Sequence, residues 1–136
     1  MTTVLDSSAL LRFLDGEAGS AYVERLLLRC ASGEVDLLIA AVNWGEVIYA
    51  IVRRKGAQAA HELINRLSSL RLTVVPCDAM GAQEAAFFKE RFKVPYADAF
   101  AGSLALRESA LLVTADFDFK TLPPGAIKIE FLPSKS

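Results

Sequence analysis

The stretch Thr3-Val4-Leu5-Asp6-Ser7-Ser8-Ala9-Leu10 joins a short apolar run to an amphipathic one through a single aspartate. Thr3 to Leu5 has the β-branched, apolar character of a buried strand. Asp is a favoured N-cap, so the helix expected over residues 7–14 begins as the strand stops. A strand feeding straight into a helix is the first half of a βα unit, and the alternation continues outward. A helix is expected over residues 20–31, with Tyr22, Leu26, Leu27 and Cys30 at helical spacing, and Gly33 breaks it. Asp36 to Ala40 reads as a second strand. Residues 43–55 read as a helix on the strength of Trp44, Val47, Ile48 and Ile51, and Gly56 ends it. A helix over 57–69 and a strand from Leu72 to Val75, stopped by Pro76, come next. Helices over 78–92 and 96–109, a strand from Leu111 to Thr114 and a last strand from Ile127 to Phe131 complete the chain. This order implies an α/β fold, a three-layer α/β/α sandwich with a mainly parallel central sheet of about five strands. A single domain is expected over residues 1–136.

Composition narrows the function classes. Apolar residues make up 53% and charged residues 23%, which excludes a disordered chain. The longest apolar runs are six residues, Leu37 to Val42 and Val47 to Val52. A membrane span needs about 20. The N-terminus lacks the basic and apolar segments of a signal peptide. Cys30 and Cys77 form no CxxC pair and read as free thiols packed as small hydrophobes in a reducing, cytoplasmic setting. The formal charge of −1 excludes a whole-surface basic footprint for nucleic acid. Nucleic acid stays open, because carboxylates gathered around divalent cations would leave the remaining surface net positive. The mean hydropathy of +0.34 is high for a small domain and hints at apolar surface covered by a partner.

The fold and the acidic residues together suggest a site. Ligands bind at the carboxyl edge of open α/β sheets. Asp6 follows the first strand and Asp116 nearly follows the fourth. Glu46 and Asp98 lie near the starts of helices that begin at that same edge. Asp118 is a fifth candidate. Each has an ordinary reading as well: Asp6 as an N-cap, Asp116 as a turn residue and Glu46 as a solvated charge. Asp98 shares its helix face with Ala101, Gly102, Ala105 and Leu106, and a carboxylate buried there needs compensation. Four clustered anions repel one another unless a cation joins them. An oxygen-only donor set suits Mg²⁺ or Mn²⁺ rather than Zn²⁺. His61, the single histidine, is expected to be structural or exposed, and a Ser-His-Asp or Cys-His hydrolase does not fit. Phosphate-cradling glycine motifs are absent.

Val4-Leu5-Asp6-Ser7-Ser8-Ala9-Leu10, Asn43-Trp44-Gly45-Glu46-Val47, Tyr96-Ala97-Asp98-Ala99 and Thr114-Ala115-Asp116-Phe117-Asp118-Phe119 resemble, in order and spacing, the PIN domain. Size and brevity suggest its VapC-type toxins. The resemblance implies an Mg²⁺- or Mn²⁺-dependent endoribonuclease with one or two ions per site. It implies Asp6, Glu46, Asp98 and Asp116 as catalytic and metal-binding residues, with Asp118 less uniformly required. Ser8, Asn43 and Thr114 match polar positions beside the metal. It also implies an RNA substrate, a homodimer and a VapB-like antitoxin lying in an apolar groove. Candidate phosphate contacts are Arg12, Arg53, Arg54 and Lys55, or else Lys89, Arg91 and Lys93, all of which also suit solvated helix faces.

Two other classes compete. A phosphoacceptor receiver-like signalling domain is also doubly wound with acids at the sheet edge, but Asp6 is followed by Ser7-Ser8 where adjacent acids are needed. A catalytically idle binding module is the other; it gives no reason to gather four mutually repelling carboxylates.

Overall fold

Val4 and Leu5 are both fully buried, on opposite faces of the same strand. Leu112 and Val113 repeat the pattern one strand away. Only a sheet covered on both sides buries consecutive residues in this way. The computed structural model describes residues 1–135 and shows that arrangement. Its elements are β1 (Thr2–Leu5), α1 (Ser7–Leu14), α2 (Ser20–Ala31), β2 (Asp36–Ala40), α3 (Ala41–Lys55), α4 (Ala57–Ser68), β3 (Thr73–Val75), α5 (Ala79–Phe92), α6 (Tyr96–Glu108), β4 (Leu111–Thr114) and β5 (Lys128–Phe131). A 3₁₀ turn over Phe117–Thr121 follows β4.

The five strands are all parallel, in the order β3-β2-β1-β4-β5. One core packs Leu5, Leu37, Ile39 and Val113 against α1, α2, α3 and α4. The other packs Val4 and Leu112 against α5, α6 and Phe119 of the 3₁₀ turn. These are the three layers expected. The order has a consequence for function: β1 leads to β2 on one side and borders β4 on the other, so the crevice of the sheet opens between β1 and β4. Receiver-type doubly wound sheets run 2-1-3-4-5, so the strand order removes that reading. Among the described residues no helix is long and apolar enough to cross a membrane.

Element boundaries depart from expectation in two places. Helix α3 begins at Ala41, not at residue 43, because β2 passes into it without a loop. Ala40 is both the last strand residue and the N-cap, with no side-chain cap to announce the start. The 3₁₀ turn was not expected; Asp116 initiates it by accepting the Asp118 N–H.

Helices α5 and α6 meet at Gly102. A Cβ at this position would collide with the ring of Phe88. Gly102→Ala should therefore lower stability by about 1–3 kcal/mol through overpacking, although Ala favours a helix by about 1 kcal/mol over Gly. Urea denaturation measures it, and a gain in stability would show that the ring moves aside freely.

Candidate metal centre

The site is built where β1 and β4 end. Leu5 pairs with Val113, so Asp6 and Thr114 fall side by side one step further on. Asp6 is only 2% exposed. Its Oδ1 accepts from the Ser8 hydroxyl at 2.7 Å and from the Ala9 N–H at 2.9 Å, and its Oδ2 accepts from the Thr114 hydroxyl. Both hydroxyls act in two directions. Ser8 Oγ accepts the Ala115 N–H at 2.9 Å, and Thr114 Oγ1 accepts the Asp116 N–H at 2.9 Å. Ser8 and Thr114 thus tie the end of β1 to the turn that carries Asp116. Asp6 caps α1 and Asp116 caps the 3₁₀ turn, so their ordinary structural readings hold alongside any role in a site.

Asp98 reaches this edge from the first turn of α6. Asp98, Asp116 and Asp118 each present a carboxylate oxygen within 4.8 Å of the others. Asp6 is outside that group, with its lone pairs largely engaged, yet close enough to act on Asp98 electrostatically. Glu46 is also outside it. Ser7 Oγ donates to Glu46 Oε1 at 2.9 Å, and Asn43 Nδ2 donates to the same oxygen at 3.1 Å. Asn43 Nδ2 also donates to the Ala97 carbonyl at 3.1 Å. Both of these neighbours are acceptors, which fixes the orientation of the amide. Glu46 is thereby anchored on one side beside Asp6 and on the other beside Asp98, with Oε2 left for solvent.

The sequence placed Asp118 last among the candidates; the structure places it in the tight group, held there by the turn that Asp116 caps. Ser7 was missed as a support. A serine opening a helix beside a strand-end aspartate looks like part of a cap, and nothing local signals that its hydroxyl reaches another helix.

The charges of this edge are not balanced by the protein. Among the described residues no basic side chain makes an ion pair with Asp6, Glu46, Asp98, Asp116 or Asp118. The Asp6 carboxyl is pushed up from 3.8 to about 6, chiefly by burial, against the lowering effect of its hydrogen bonds to Thr114, Ser8 and Ala9. Asp98 is pushed up from 3.8 to about 8 by burial, by hydrogen bonding to the Asp116 carboxyl and by the charges of Asp116, Asp6 and Asp118. Asp98 Oδ2 and Asn43 Oδ1 are buried without a hydrogen-bond partner. Oxygen donors alone, two of them orphaned, in a concentration of uncompensated negative charge fit a hard divalent cation such as Mg²⁺ or Mn²⁺.

The basic residues fall into place differently from expectation. Arg12 is 7% exposed, and its Nη1 donates to the Ala18 and Pro133 carbonyls at 2.7 and 2.6 Å. It fastens the C-terminal segment to the α1–α2 loop and is not available to a phosphate. Arg53, Arg54 and Lys55 end α3, roughly 10–14 Å along the axis from Glu46. Arg54 there pairs with Asp15 at 2.9 Å. Of the cysteines, Cys30 packs in the core as expected. Cys77 is exposed instead, because the loop that holds it follows an edge strand and is used to cap α5 through Asp78. His61 is exposed.

Comparison with known proteins agrees with the fold. The family model of the PIN domain matches residues 3–123. No curated protein sequence matches the chain. Among solved structures, a chain of VapBC2 from Rickettsia felis, bound to a DNA fragment from its promoter, superposes with a TM-score of 0.74 at 18% identity, covering 98% of this chain and 100% of that one. A chain of DNA-bound VapBC from Salmonella typhimurium gives 0.72 at 17%, covering 96% and 98%. The sarcin-ricin loop cleaving toxin VapC20 of Mycobacterium tuberculosis gives 0.71 at 20%, covering 96% and 99%. At these identities the likeness is one of fold.

The raised carboxyl pKa values set the pH dependence of the metal-free protein. The folded chain holds protons on Asp6 and Asp98 that the unfolded chain releases near 3.8. The stability these two protons contribute is complete below about 3.8 and is lost as pH rises through about 6 for Asp6 and about 8 for Asp98. In EDTA the Tm should fall between pH of about 5 and about 9, and Mg²⁺ or Mn²⁺ should flatten that fall. Asp98→Asn should raise the Tm at the alkaline end and weaken the response to the cation. A Tm in EDTA that climbs with pH over this range would contradict the arrangement.

Proposed function

The chain belongs to the PIN-domain family, and from that premise we propose that it is an Mg²⁺- or Mn²⁺-dependent endoribonuclease, the toxin of a VapBC-type toxin–antitoxin pair. The observation that carries the reading is the convergence of Asp98, Asp116 and Asp118 within 4.8 Å with no basic side chain to neutralise them.

Asp98, Asp116 and Asp118 would hold the cation, with Asp6 behind them. When bound, the cation supplies Lewis acidity, lowering the pKa of water and offsetting charge on the phosphate. The protein's own contribution is positional. Ser8 and Thr114 hold the ends of β1 and β4 in fixed register. Ser7 and Asn43 hold one oxygen of Glu46, so its other oxygen can orient a water or accept a proton from it. Preorganised groups of this kind stabilise a charged transition state without reorganising during the reaction.

The solved neighbours named for toxin–antitoxin complexes support a VapB-like antitoxin as partner. Exposed Phe87, Met80, Tyr49 and Leu106 offer apolar surface to an antitoxin or to a second copy in a homodimer. A cytoplasmic location follows from that role.

Incubation of the purified protein with total bacterial RNA tests the activity. Discrete fragments are expected with Mg²⁺ or Mn²⁺, none with EDTA, and a loss of at least about a hundredfold in Asp116→Asn. Equal cleavage by folded Asp116→Asn would remove the site assignment. Tight Mn²⁺ binding with no turnover of any RNA would favour an idle binding module instead. Ser7→Ala should lower the cleavage rate about tenfold at nearly unchanged Tm, the usual scale for a residue supporting a metal site from behind; full activity in that variant would show that Glu46 needs no such anchor.

A further inference from the structure

A groove of roughly 470 Å³ opens beside Asp118, lined by Lys89, Glu90 and Lys93 at the α5 end, Val94 and Pro95 of the α5–α6 loop, and Thr121. The single Thr121 hydroxyl proton is shared between the Phe92 carbonyl at 3.2 Å and the Asp118 carbonyl at 3.1 Å, so the lysine-bearing loop and the acidic turn are joined. We propose that Lys89 and Lys93 form the track for the phosphodiester backbone of single-stranded RNA flanking the scissile bond; the inference rests on the nuclease reading and names the substrate path for that site.

Three observations carry it. The groove shares Asp118 with the acidic centre, so a chain whose reacting phosphate lies at the carboxylates has its neighbouring phosphates within reach of this groove. Those neighbours need cations, and the basic run ending α3 lies roughly 10–14 Å along its helix from Glu46, with Arg54 already paired to Asp15. Lys93 also occupies the C-cap of α5 in the left-handed region, at φ 58° and ψ 43°. Glycine takes up that conformation at no steric cost, and a long basic side chain held there points to a use for the side chain.

Lys93 Nζ pairs with Glu90 at 2.6 Å, but both side chains are at least 70% exposed, and such a pair exchanges readily for a phosphate. Lys89 Nζ donates to the Val94 carbonyl at 3.2 Å and retains further N–H groups. Arg91 differs: it stacks over the Phe92 ring at 4.8 Å and lines the apolar groove between α5 and α6 instead.

The test uses full-length protein carrying Asp116→Asn, so that RNA is bound in Mn²⁺ but not cut. The double variant Lys89→Gln, Lys93→Gly keeps a donor for the Val94 carbonyl and eases the backbone at residue 93, so folding is preserved and its Tm checks this. Binding of a mixed-sequence single-stranded RNA is titrated across a tenfold range of KCl. Loss of two phosphate contacts should make the salt dependence shallower by about 1.4 in log–log slope. Over that range the parent should lose roughly 25-fold more affinity than the variant. Lys128→Gln, at the start of β5 on the opposite edge of the sheet, removes a charge away from the groove and should leave the slope as it was. A double variant with the parent's affinity and slope overturns the lysine track while leaving the nuclease reading in place. A parent protein that binds no RNA overturns both.

Discussion

Mutual repulsion of carboxylates is the constraint on which this structure turns. Asp6, Asp98, Asp116 and Asp118 are drawn from three separate parts of the chain to one edge of a parallel sheet, and no lysine or arginine among the described residues pairs with them. Desolvation alone would make ionising Asp6 and Asp98 costly, and their raised pKa values record that cost. Packing elsewhere must hold the arrangement together. Two apolar cores on either face of the sheet do so, and Ser8 and Thr114 convert that rigidity into a fixed position for the acids. A divalent cation would relieve the same repulsion, so the strain of the acidic edge and the affinity proposed for a cation would have one origin.

The parallel sheet explains why the acids meet at all. In a parallel sheet every strand ends at the same edge, and here α1, α3 and α6 begin there. Asp6, Thr114 and Asp116 come from strand ends, and Asn43, Glu46 and Asp98 from helix starts. The strand order then sets β1 beside β4, which brings together Asp6 and Thr114 across 108 residues of sequence. Helix N-termini add a modest favourable field for any carboxylate that ionises.

Much of this was legible in the residues. The alternation of strands and helices follows from periodicity and from glycine and proline breaks, and most boundaries fall within two residues of those read. Asp6 was readable from its place directly after the first strand, and Asp98 because its helix face is small and apolar, so that a charge there demands an explanation. Other features were not legible, for identifiable reasons. The start of α3 carries no capping residue. Arg12 looks like any charge on an amphipathic helix, and only the tertiary approach of Ala18 and Pro133 buries it. Ser7 and Asp118 gain their roles from contacts across the fold or from a 3₁₀ turn, which local pattern does not reveal. Arg53 to Lys55 stood out as a basic run, but helix length carries them away from Glu46, while Lys89 and Lys93, separated in sequence by Glu90 to Phe92, line one groove with Asp118.

The central claim is that this acidic edge is a cation site, and anomalous diffraction from a crystal grown with Mn²⁺ tests it most directly. The account predicts a manganese peak bounded by the carboxylates of Asp98, Asp116 and Asp118, and its loss in Asp98→Asn. A map with no peak at that edge, or with manganese only on scattered surface carboxylates, would contradict it.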